Sequence, residues 1–459
     1  MATDRKDMGT GSVGKWMVQL AVPALVGQVV NLLYNVVDRI YIGHIPEIGG
    51  NALTGVGLFT PILMLITAFA MLAGSGGAPR AAIAMGKGDK DTAEKIVGNC
   101  FTVLMILAVV LTGVFYFAAP TLLDWFGGSE NTLPYAVTYA RIYVLGSIFV
   151  LTVMGMNPFI TTQGFAKFSM LTTVIGAVIN IVLDPIFIFA LDMGVAGAAT
   201  ATVISQAVSA LWILRFLTGK KTILKLRFPN MKLVGSVIGP CLGLGISTFV
   251  MVSTESILSI SFTSSLSRFG GDIAVGAMTV LTSINQLVSM PLSGLCQGGQ
   301  PLISFNYGAK KYDRVKKAFL CQFIACISYT IVFWVCLMCF PKVFAGIFTS
   351  DVALVDYTAW AIRIFLACAF SVGFQMSCQQ AFVALGQAKV SLFMACLRKL
   401  ILLIPLIFIL PLFFQTGADK AFAVFLAEPI SDIIAAAVTT ITFFVFFHKM
   451  MKKGKESLS

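Results

Sequence analysis

Two segments of the 459-residue sequence share one pattern. Residues 76–97 read GGAPRAAIAMGKGDKDTAEKIV, and residues 298–319 read GGQPLISFNYGAKKYDRVKKAF. Each has two glycines, a proline two residues later, a glycine seven residues after that proline, and a charged run. The same offset of 222 residues holds without a gap from about residue 53 to residue 169. Chance similarity would not keep one register through two charged loops, so we predict two homologous halves.

The composition is typical of a membrane protein. Hydrophobic residues make up 58% and charged residues 11% of the chain, and mean hydropathy is +0.91, whereas soluble domains contain about 45–50% apolar residues. A helix needs about 20 apolar residues to cross a bilayer, and an open sheet cannot satisfy its backbone in lipid. Twelve such runs lie near residues 16–43, 52–78, 96–118, 135–161, 170–190, 197–218, 234–263, 274–300, 318–340, 356–383, 390–413 and 421–447. We therefore predict an all-α polytopic protein with twelve transmembrane helices in two pseudo-symmetric six-helix lobes.

The domain boundaries and orientation follow from the loops. We predict a first lobe at residues 1–218, a basic linker at 219–233, and a second lobe with a basic tail at 234–459. Six spans bring each half back to the side where it began, so the halves are parallel repeats, as in many secondary transporters. Of the 32 Lys and Arg residues, two lie inside the eleventh span and only six lie toward the other side: Arg39, Arg141, Arg268, Lys342, Arg363 and Lys420. The positive-inside rule then places both termini in the cytoplasm, and the first span is too long for a cleaved signal peptide.

The duplicated segment is then the cytoplasmic loop between the second and third spans of each half. We expect its proline and glycines to end one helix and to lead into a short amphipathic segment. This interpretation gives the segment a structural role rather than a place in a binding site.

Several function classes lack the residues they need. The net charge of +12 requires no nucleic acid, because the basic linker and tail would lie against anionic lipids. The run GTGSVGK at residues 9–15 resembles a phosphate loop, but no strand precedes it and Trp16 replaces the magnesium-binding Ser or Thr. Cys336 and Cys339 lie in the apolar run VCLMCF, which favours packing over metal binding. We predict no catalytic residue, bound metal, nucleotide or nucleic acid, and therefore not an enzyme.

Five acidic residues lie inside apolar runs: Asp38, Asp184, Glu255, Glu428 and Asp432. A charge inside the membrane is costly, so such a residue usually faces a bundle interior or a watery cavity and is a candidate for function. The alternative is a structural carboxylate that Ser, Thr or backbone donors satisfy. For an isolated residue the sequence does not decide between the two.

Asp38 and Asp184 are not isolated. Asn180 and Asp184 are four residues apart and share one helix face, and Asn31, Asn35 and Asp38 recur at helical spacing. Thr200 and Thr202 add hydroxyls from the next span. Such oxygen ligands could hold a proton or a sodium ion, and burial, which disfavours a charged carboxylate, would allow a proton to load and leave.

The second half is chemically different. Glu428 and Asp432 are also four residues apart, but Asp184 has Leu406 as its counterpart at the 222-residue offset. We therefore expect ion coupling mainly in the first half. The roles of Glu255, and of Arg398 and Lys399 inside the eleventh apolar run, stay open.

Three stretches resemble the multidrug and toxic compound extrusion (MATE) family: QPLISFNYGA at 300–309, LAVPALVGQVVNLLYNVVDRIYIG at 20–43 and GVAGAATATVISQ at 194–206. The resemblance covers nearly the whole chain. It is strongest to the bacterial MepA-like branch, with the first-lobe acidic pattern of DinF-type members. It implies two six-helix lobes around a V-shaped cavity in a bacterial plasma membrane. It also implies export of organic cations in exchange for protons or sodium.

The resemblance also implies residue roles. The family's first-span aspartate falls on Asp38, its fifth-span Asn and Asp on Asn180 and Asp184, and its sixth-span Thr on Thr202. The first-span proline, linked to helix bending, falls on Pro23. Glu255 matches the seventh-span acid of the NorM-type branch, whose tenth-span aspartate has no counterpart in FSVGFQMSCQQ at 370–380. We predict a coupling set of Asp38, Asn180, Asp184 and Thr202, with secondary candidates Asn35, Thr200, Glu255 and Asp432.

The predicted substrate is a small cationic drug or dye in a cavity between the lobes. Aromatic faces, methionines and amides would suit such ligands, and the expected lining residues are Tyr34, Met154, Asn157, Gln163, Ser283, Gln286 and Gln375. We expect a monomer that contacts membrane lipid and no cofactor beyond the coupling ion, H⁺, Na⁺ or both.

Two alternatives remain. A lipid-linked saccharide flippase would need a cationic cavity for a pyrophosphate group; the first-lobe charges are acidic, but Arg398 and Lys399 keep this interpretation open. A non-transporting receptor or scaffold would show no ion-coupled flux.

Overall fold

The structure, a computed structural model, describes residues 8–348 and 351–456. The ends of the predicted lobes, residues 1–7 and 457–459, lie outside the described residues. The described chain is helical: α1 Val13–Gly43, α2 Gly49–Gly86, α3 Lys90–Trp125, α4 Leu133–Leu145, α5 Ser147–Thr162, α6 Ala166–Pro185, α7 Gly194–Thr218, α8 Gly235–Gly308, α9 Tyr312–Cys339, α10 Pro341–Gly346, α11 Val352–Phe365, α12 Phe370–Ala384, α13 Ala388–Cys396, α14 Ile404–Ile409 and α15 Gly417–Glu456. Two π-helices, Ile186–Ala190 and Leu397–Leu403, continue α6 and α13, and 3₁₀ turns cover Phe228–Met231 and Leu410–Phe413.

The helices account for the twelve predicted spans. Nine continuous helical segments of the described chain are long and apolar enough to cross a membrane. One of these, α8, has 74 residues and contains Gly271 at φ 65° and ψ −165°, so it consists of two spans joined by a sharp bend. The pairs α4 with α5 and α11 with α12, bent by 57° and 52°, each form one more span. The architecture is thus the predicted all-α one.

The membrane-facing surface is visible on α1. Its exposed large apolar side chains recur every three or four residues along the whole helix: Val18, Val22, Val26, Val29, Leu33, Val36 and Ile40. This spacing places them on one stripe of the helix. An exposed apolar stripe of this length suits lipid rather than water.

The duplicated segments are helical, which corrects the expectation that their prolines end a helix. Helix α2 continues through Pro79 to Gly86, and α8 continues through Pro301 to Gly308. Both prolines are buried inside the bundle, where neighbouring helices stabilise a proline-containing span. Only residues 87–89 and 309–311 form the turns.

The glycines of these segments explain the duplication. A Cβ on Gly86 would lie 2.0 Å from the Phe305 carbonyl oxygen, and a Cβ on Gly308 would lie 2.0 Å from the Ile83 carbonyl oxygen. The two contacts are related by the 222-residue repeat. The duplicated segments therefore pack against each other where the lobes meet, at a distance that only glycine permits.

Further glycine contacts join the lobes in the same half of the molecule. We call this half the basic end, because it carries the turns at 87–89 and 309–311 and the linker; the opposite end, with the Gly271 bend, is the outer end. Four more close backbone contacts join the lobes: Gly76 with Cys241, Gly245 with Leu72, Gly298 with Ala21 and Gly294 with Leu25. The basic end is therefore closed by close helix packing.

Each lobe also forms hydrogen bonds with the segment of chain that leads into the other lobe. The linker lies between the end of α7 and the start of α8. The Asn99 amide donates to the carbonyls of Asn230 (3.0 Å) and Lys232 (3.1 Å), and its oxygen accepts from the Val234 N–H (2.7 Å). In the second lobe, Arg314 donates to three carbonyls before α1, those of residues 8, 10 and 11, at 2.7–3.0 Å.

Candidate ion-coupling site and cavity

A cavity of about 240 Å³ lies mainly within the first lobe. Its walls come from α1, α2, α5, α6 and α7. Four polar residues of the second lobe also line it: Thr248, Gln297, Gln300 and Gln380. The cavity therefore touches both lobes but belongs mostly to the first.

The wall of this cavity is polar without being charged. None of the described lining residues is acidic or basic; the polar ones are Ser, Thr, Asn, Gln and Tyr. The buried amide oxygens of Asn157 and Gln206 have no hydrogen-bond donor among the described residues, although the Asn157 nitrogen donates to the Ser169 carbonyl (3.3 Å). These two oxygens therefore have unused acceptor capacity beside the cavity.

A polar cluster lies where α6 and α7 meet. The fully buried Asn180 amide donates to Asp184 Oδ1 (3.1 Å) and to Thr202 Oγ1 (3.3 Å). Thr202 in turn donates to the Ala198 carbonyl (3.0 Å). Pro185 and the π-helix follow directly, and interruptions of this kind often mark functional positions in helices. The helix is thus locally irregular beside its buried carboxylate.

Asp38 of α1 completes the cluster. Its carboxyl lies close enough to the Asp184 carboxyl for the two groups to interact. Two ionised carboxylates only accept hydrogen bonds, so a direct bond between them requires a proton. Moreover, Asp38 Oδ1, Asn180 Oδ1 and Asp184 Oδ2 are buried without a donor among the described residues. Three acceptor oxygens in one place fit a proton or a small cation.

The cluster adjoins the cavity. Three helices each carry one lining residue four positions from one member of the cluster: Tyr34 and Asp38 on α1, Gly176 and Asn180 on α6, and Gln206 and Thr202 on α7. Four residues make about one helical turn, or roughly 5–6 Å. Asp38 and Asn180 therefore lie about one turn beyond the cavity, and Asp184 about two turns, toward the outer end.

Comparison with known proteins agrees with this architecture. The MatE family model matches residues 23–186 and 247–409, one stretch in each half. This chain belongs to the MatE family. It is a family of multi-pass membrane transporters rather than enzymes.

Relatives of the MatE chain match it along nearly all of its length. The multidrug export protein MepA of Staphylococcus saprophyticus is 24% identical over 433 residues, 93% of each chain. MepA of Staphylococcus aureus strain N315 is 24% identical over 439 residues, with the same coverage. A solved outward-facing multidrug resistance MATE family transporter is 25% identical with a TM-score of 0.90, covering 98% of this chain and 99% of that one. MATE in its straight conformation is 25% identical with a TM-score of 0.89, covering 98% and 100%.

Two secondary candidates of this MatE chain lie outside the polar cluster. The Asn35 amide donates to the Asn31 carbonyl, and the Thr200 hydroxyl donates to the Ala196 carbonyl, each at 2.7 Å. Both side chains thus bond to their own helix, one turn back. Pro23, the predicted hinge, lines the cavity, and α1 is continuous through it.

Of the predicted cavity residues, Tyr34, Met154 and Asn157 line the cavity. Gln163 does not. Its oxygen accepts hydrogen bonds from the Thr222 hydroxyl (2.8 Å) and from the N–H groups of Ile223 (2.6 Å) and Leu224 (2.9 Å), and its nitrogen donates to a backbone carbonyl. The Gln163 oxygen is fully used by these three donors, so Gln163 holds the linker instead of a ligand.

Ser283, Gln286 and Gln375 also lie outside the lining of this cavity. Ser283 donates to a carbonyl of its own helix (3.0 Å), Gln286 is exposed, and Gln375 is buried. Gln206 and Gln300 line the cavity but were not predicted to do so, although both lie in the stretches 194–206 and 300–309 that carry the family resemblance. An isolated glutamine in an apolar run was the signal that could have identified them.

The second-lobe charges form their own network. Arg398 Nε donates to Asp432 Oδ1 (2.7 Å), and Arg398 Nη2 donates to Glu428 Oε1 (2.9 Å). Lys399, the next residue on the π-helix, pairs with Glu255, whose side chain is 54% exposed. The two remaining secondary candidates, Glu255 and Asp432, are therefore bonded to cations of their own lobe.

Proposed function

We propose that this chain exports small organic cations by secondary active transport, in exchange for protons or sodium ions. The carrying observation is the position of three unsatisfied acceptor oxygens one to two helical turns from a neutral, polar cavity. The names of its relatives, multidrug export protein and multidrug resistance transporter, support the same proposal.

The cavity suits an amphiphilic cation. Apolar side chains such as Met71, Met154 and Val153 would contact the ring system, and Tyr34 offers an aromatic face. The amide oxygens of Asn157 and Gln206 would accept hydrogen bonds from the ligand. The attraction for positive charge would come from Asp38 and Asp184, one to two helical turns away, because electrostatic interactions are strong in a low dielectric.

Exchange follows if the ion and the substrate compete for the same negative charge. A proton between Asp38 and Asp184, or a sodium ion held by these carboxylates with Asn180 and Thr202, would lower the negative charge of the cluster by one. The cavity would then attract an organic cation less strongly, which favours release. Loading with the ion must also favour one facing state, since a ligand shifts an equilibrium only by its differential affinity.

The test is flux of ethidium, a fluorescent cation, into or out of proteoliposomes. Wild type and Asp184→Asn are compared under an imposed proton gradient and, separately, a sodium gradient. The matched control is Asp124→Asn, an exposed carboxylate at the end of α3. We expect gradient-driven flux in wild type and Asp124→Asn and none in Asp184→Asn. Equal flux in all three would remove Asp184 from the mechanism, and no gradient-driven flux in wild type would reject ion exchange.

The flippase alternative receives no support from the cavity. Arg398 and Lys399 are bonded to carboxylates, and neither lines the cavity. A pyrophosphate group there would meet no unpaired cation among the described lining residues. The same vesicles with a lipid-linked saccharide would test this alternative directly.

A further inference from the structure

Under the 222-residue repeat, Arg398 corresponds to a residue that lines the cavity of the first lobe. Helices α6 and α13 begin at Ala166 and Ala388, which are 222 residues apart, so Arg398 is the counterpart of Gly176. Helices α7 and α15 begin at Gly194 and Gly417, 223 residues apart. On this register, Glu428 and Asp432 are the counterparts of Ser205 and Ser209. All three first-lobe counterparts line the cavity: Gly176, Ser205 and Ser209.

The same pair of helices makes contact at this position in both lobes. In the first lobe, Gly176 packs directly against Ser209, since a Cβ on Gly176 would lie 2.6 Å from Ser209 Oγ, and both residues line the cavity. In the second lobe, the counterparts Arg398 and Asp432 are joined by a hydrogen bond of 2.7 Å, and Glu428 adds a second one of 2.9 Å. The guanidinium and its two carboxylates therefore belong to positions whose first-lobe counterparts line the cavity.

We propose that Glu428 and Asp432 form a cation site in the second lobe and that Arg398 fills it as a tethered cation. Both carboxylates are 5% exposed and lie in a membrane span, where an unpaired charge is costly. Arg398 offers planar N–H donors to both at once, the geometry that carboxylates bind best. Lys399 does not take this role, because its ammonium bonds to Glu255 and to the Met251 carbonyl.

The functional consequence rests on the proposed export of cations. A cation that enters between the lobes meets a free pair of carboxylates only in the first lobe, because both carboxylates of the second pair are already bonded to Arg398. Arg398 would thereby confine substrate and coupling ion to one lobe. It acts as a specificity-determining residue without contacting the substrate.

The test is rescue of a shortened side chain by a free ligand. Arg398→Ala removes the guanidinium and leaves both carboxylates, so guanidinium ion should bind in its place. The full-length protein is purified in detergent, and thermal unfolding is measured with millimolar guanidinium chloride. Sodium chloride controls for ionic strength, and tetramethylammonium chloride provides a cation without N–H donors.

We expect guanidinium to raise the Tm of Arg398→Ala by a few degrees over both control salts, because a ligand of the folded state stabilises it. The Tm of wild type should not respond, because Arg398 already occupies the site. The Tm of Arg398→Ala/Glu428→Gln/Asp432→Asn should not respond either, because neither carboxylate remains to bind guanidinium. Equal responses of all variants, or no response of a folded Arg398→Ala, would overturn the proposal.

If Arg398→Ala does not fold, guanidinium is supplied from membrane extraction onward, with Arg398→Lys as the folded control. Recovery of Arg398→Ala only with guanidinium supports the site. Failure to recover it even then, while Arg398→Lys is recovered, contradicts the site. Because this assay measures stability and not flux, its failure is distinct from failure of the proposed transport.

Discussion

The two lobes share one helical framework but treat their buried carboxylates differently. In the first lobe, Asp38 and Asp184 lie beside a cavity with acceptor oxygens that no described donor satisfies. In the second, Glu428 and Asp432 are bonded to Arg398. The 222-residue repeat is preserved at Gly86 and Gly308, where the lobes meet. It is not preserved at the buried charged residues, which differ between the lobes. A duplicated fold can therefore keep its symmetric interface while only one copy retains an open site.

The largest expected effect concerns the first-lobe carboxylates. We expect Asp38→Asn, Asp184→Asn and the double variant to reduce gradient-driven ethidium flux equally, to the level of empty liposomes. The reason is that both carboxylates hold one ion between them, so losing either removes the site. Flux in proteoliposomes, with equal protein recovery, is the measurement. If Asp38→Asn kept about half of the wild-type flux while Asp184→Asn kept none, the two residues would not share an ion.

The second-lobe carboxylates should instead govern stability. Arg398→Ala leaves two buried charges without a partner and should cost about 3–5 kcal/mol in free energy of unfolding. Replacing the whole triad in Arg398→Leu/Glu428→Gln/Asp432→Asn should cost much less, because no buried charge remains unpaired. Unfolding of the purified proteins in detergent provides the comparison. A triple variant as unstable as Arg398→Ala would mean that packing, not charge pairing, is the role of the triad.

Substitutions at the two glycines of the lobe interface should destabilise the protein to a similar extent. Gly86→Ala and Gly308→Ala would each place a Cβ about 2.0 Å from a carbonyl oxygen of the other lobe. Overpacking of this kind costs about 1–3 kcal/mol, and we expect the two losses to be similar. Gly57→Ala in the same helix α2 is the control, since nothing lies within 4 Å of its Cβ. Thermal unfolding in detergent tests all three, and a loss at only one of the two interface positions would show that the lobe contact is not symmetric in energy.

The sequence is sufficient to predict the helical framework. Apolar runs of membrane-spanning length give the twelve spans, and the 222-residue offset relates the two halves. The expectation that Asp38, Asn180, Asp184 and Thr202 lie together rests on helical spacing and on the family resemblance, and the structure places them in one cluster. Their roles in coupling stay predictions.

What the sequence does not provide is the rotation of each helix about its axis. In apolar spans nearly every face can be buried, so Gln163, Ser283 and Gln286 could not be distinguished from true lining residues such as Gln206. Arg398 and Asp432 are 34 residues apart and Lys399 and Glu255 are 144 apart, so their pairing depends on tertiary packing. The sequence predicted helix ends at Pro79 and Pro301, because it does not show the neighbouring helices that stabilise a proline inside a span.

The smallest expected effect concerns two connecting segments, the linker bonded by Asn99 and the segment before α1 bonded by Arg314. Asn99 is 1% exposed and makes three hydrogen bonds to the linker, whereas Arg314 is only half-buried at its own site. Asn99→Ala should therefore cost about 1–3 kcal/mol, because it leaves buried backbone groups without partners, and Arg314→Ala should cost less, because water can replace its bonds. Hydrogen exchange should accelerate at the Val234 amide in Asn99→Ala, since that N–H loses its acceptor. Exchange around residues 8–12 should accelerate in Arg314→Ala, with the linker unchanged. If Arg314→Ala destabilised the protein more than Asn99→Ala, the segment before α1 would be the more important of the two connections between the lobes.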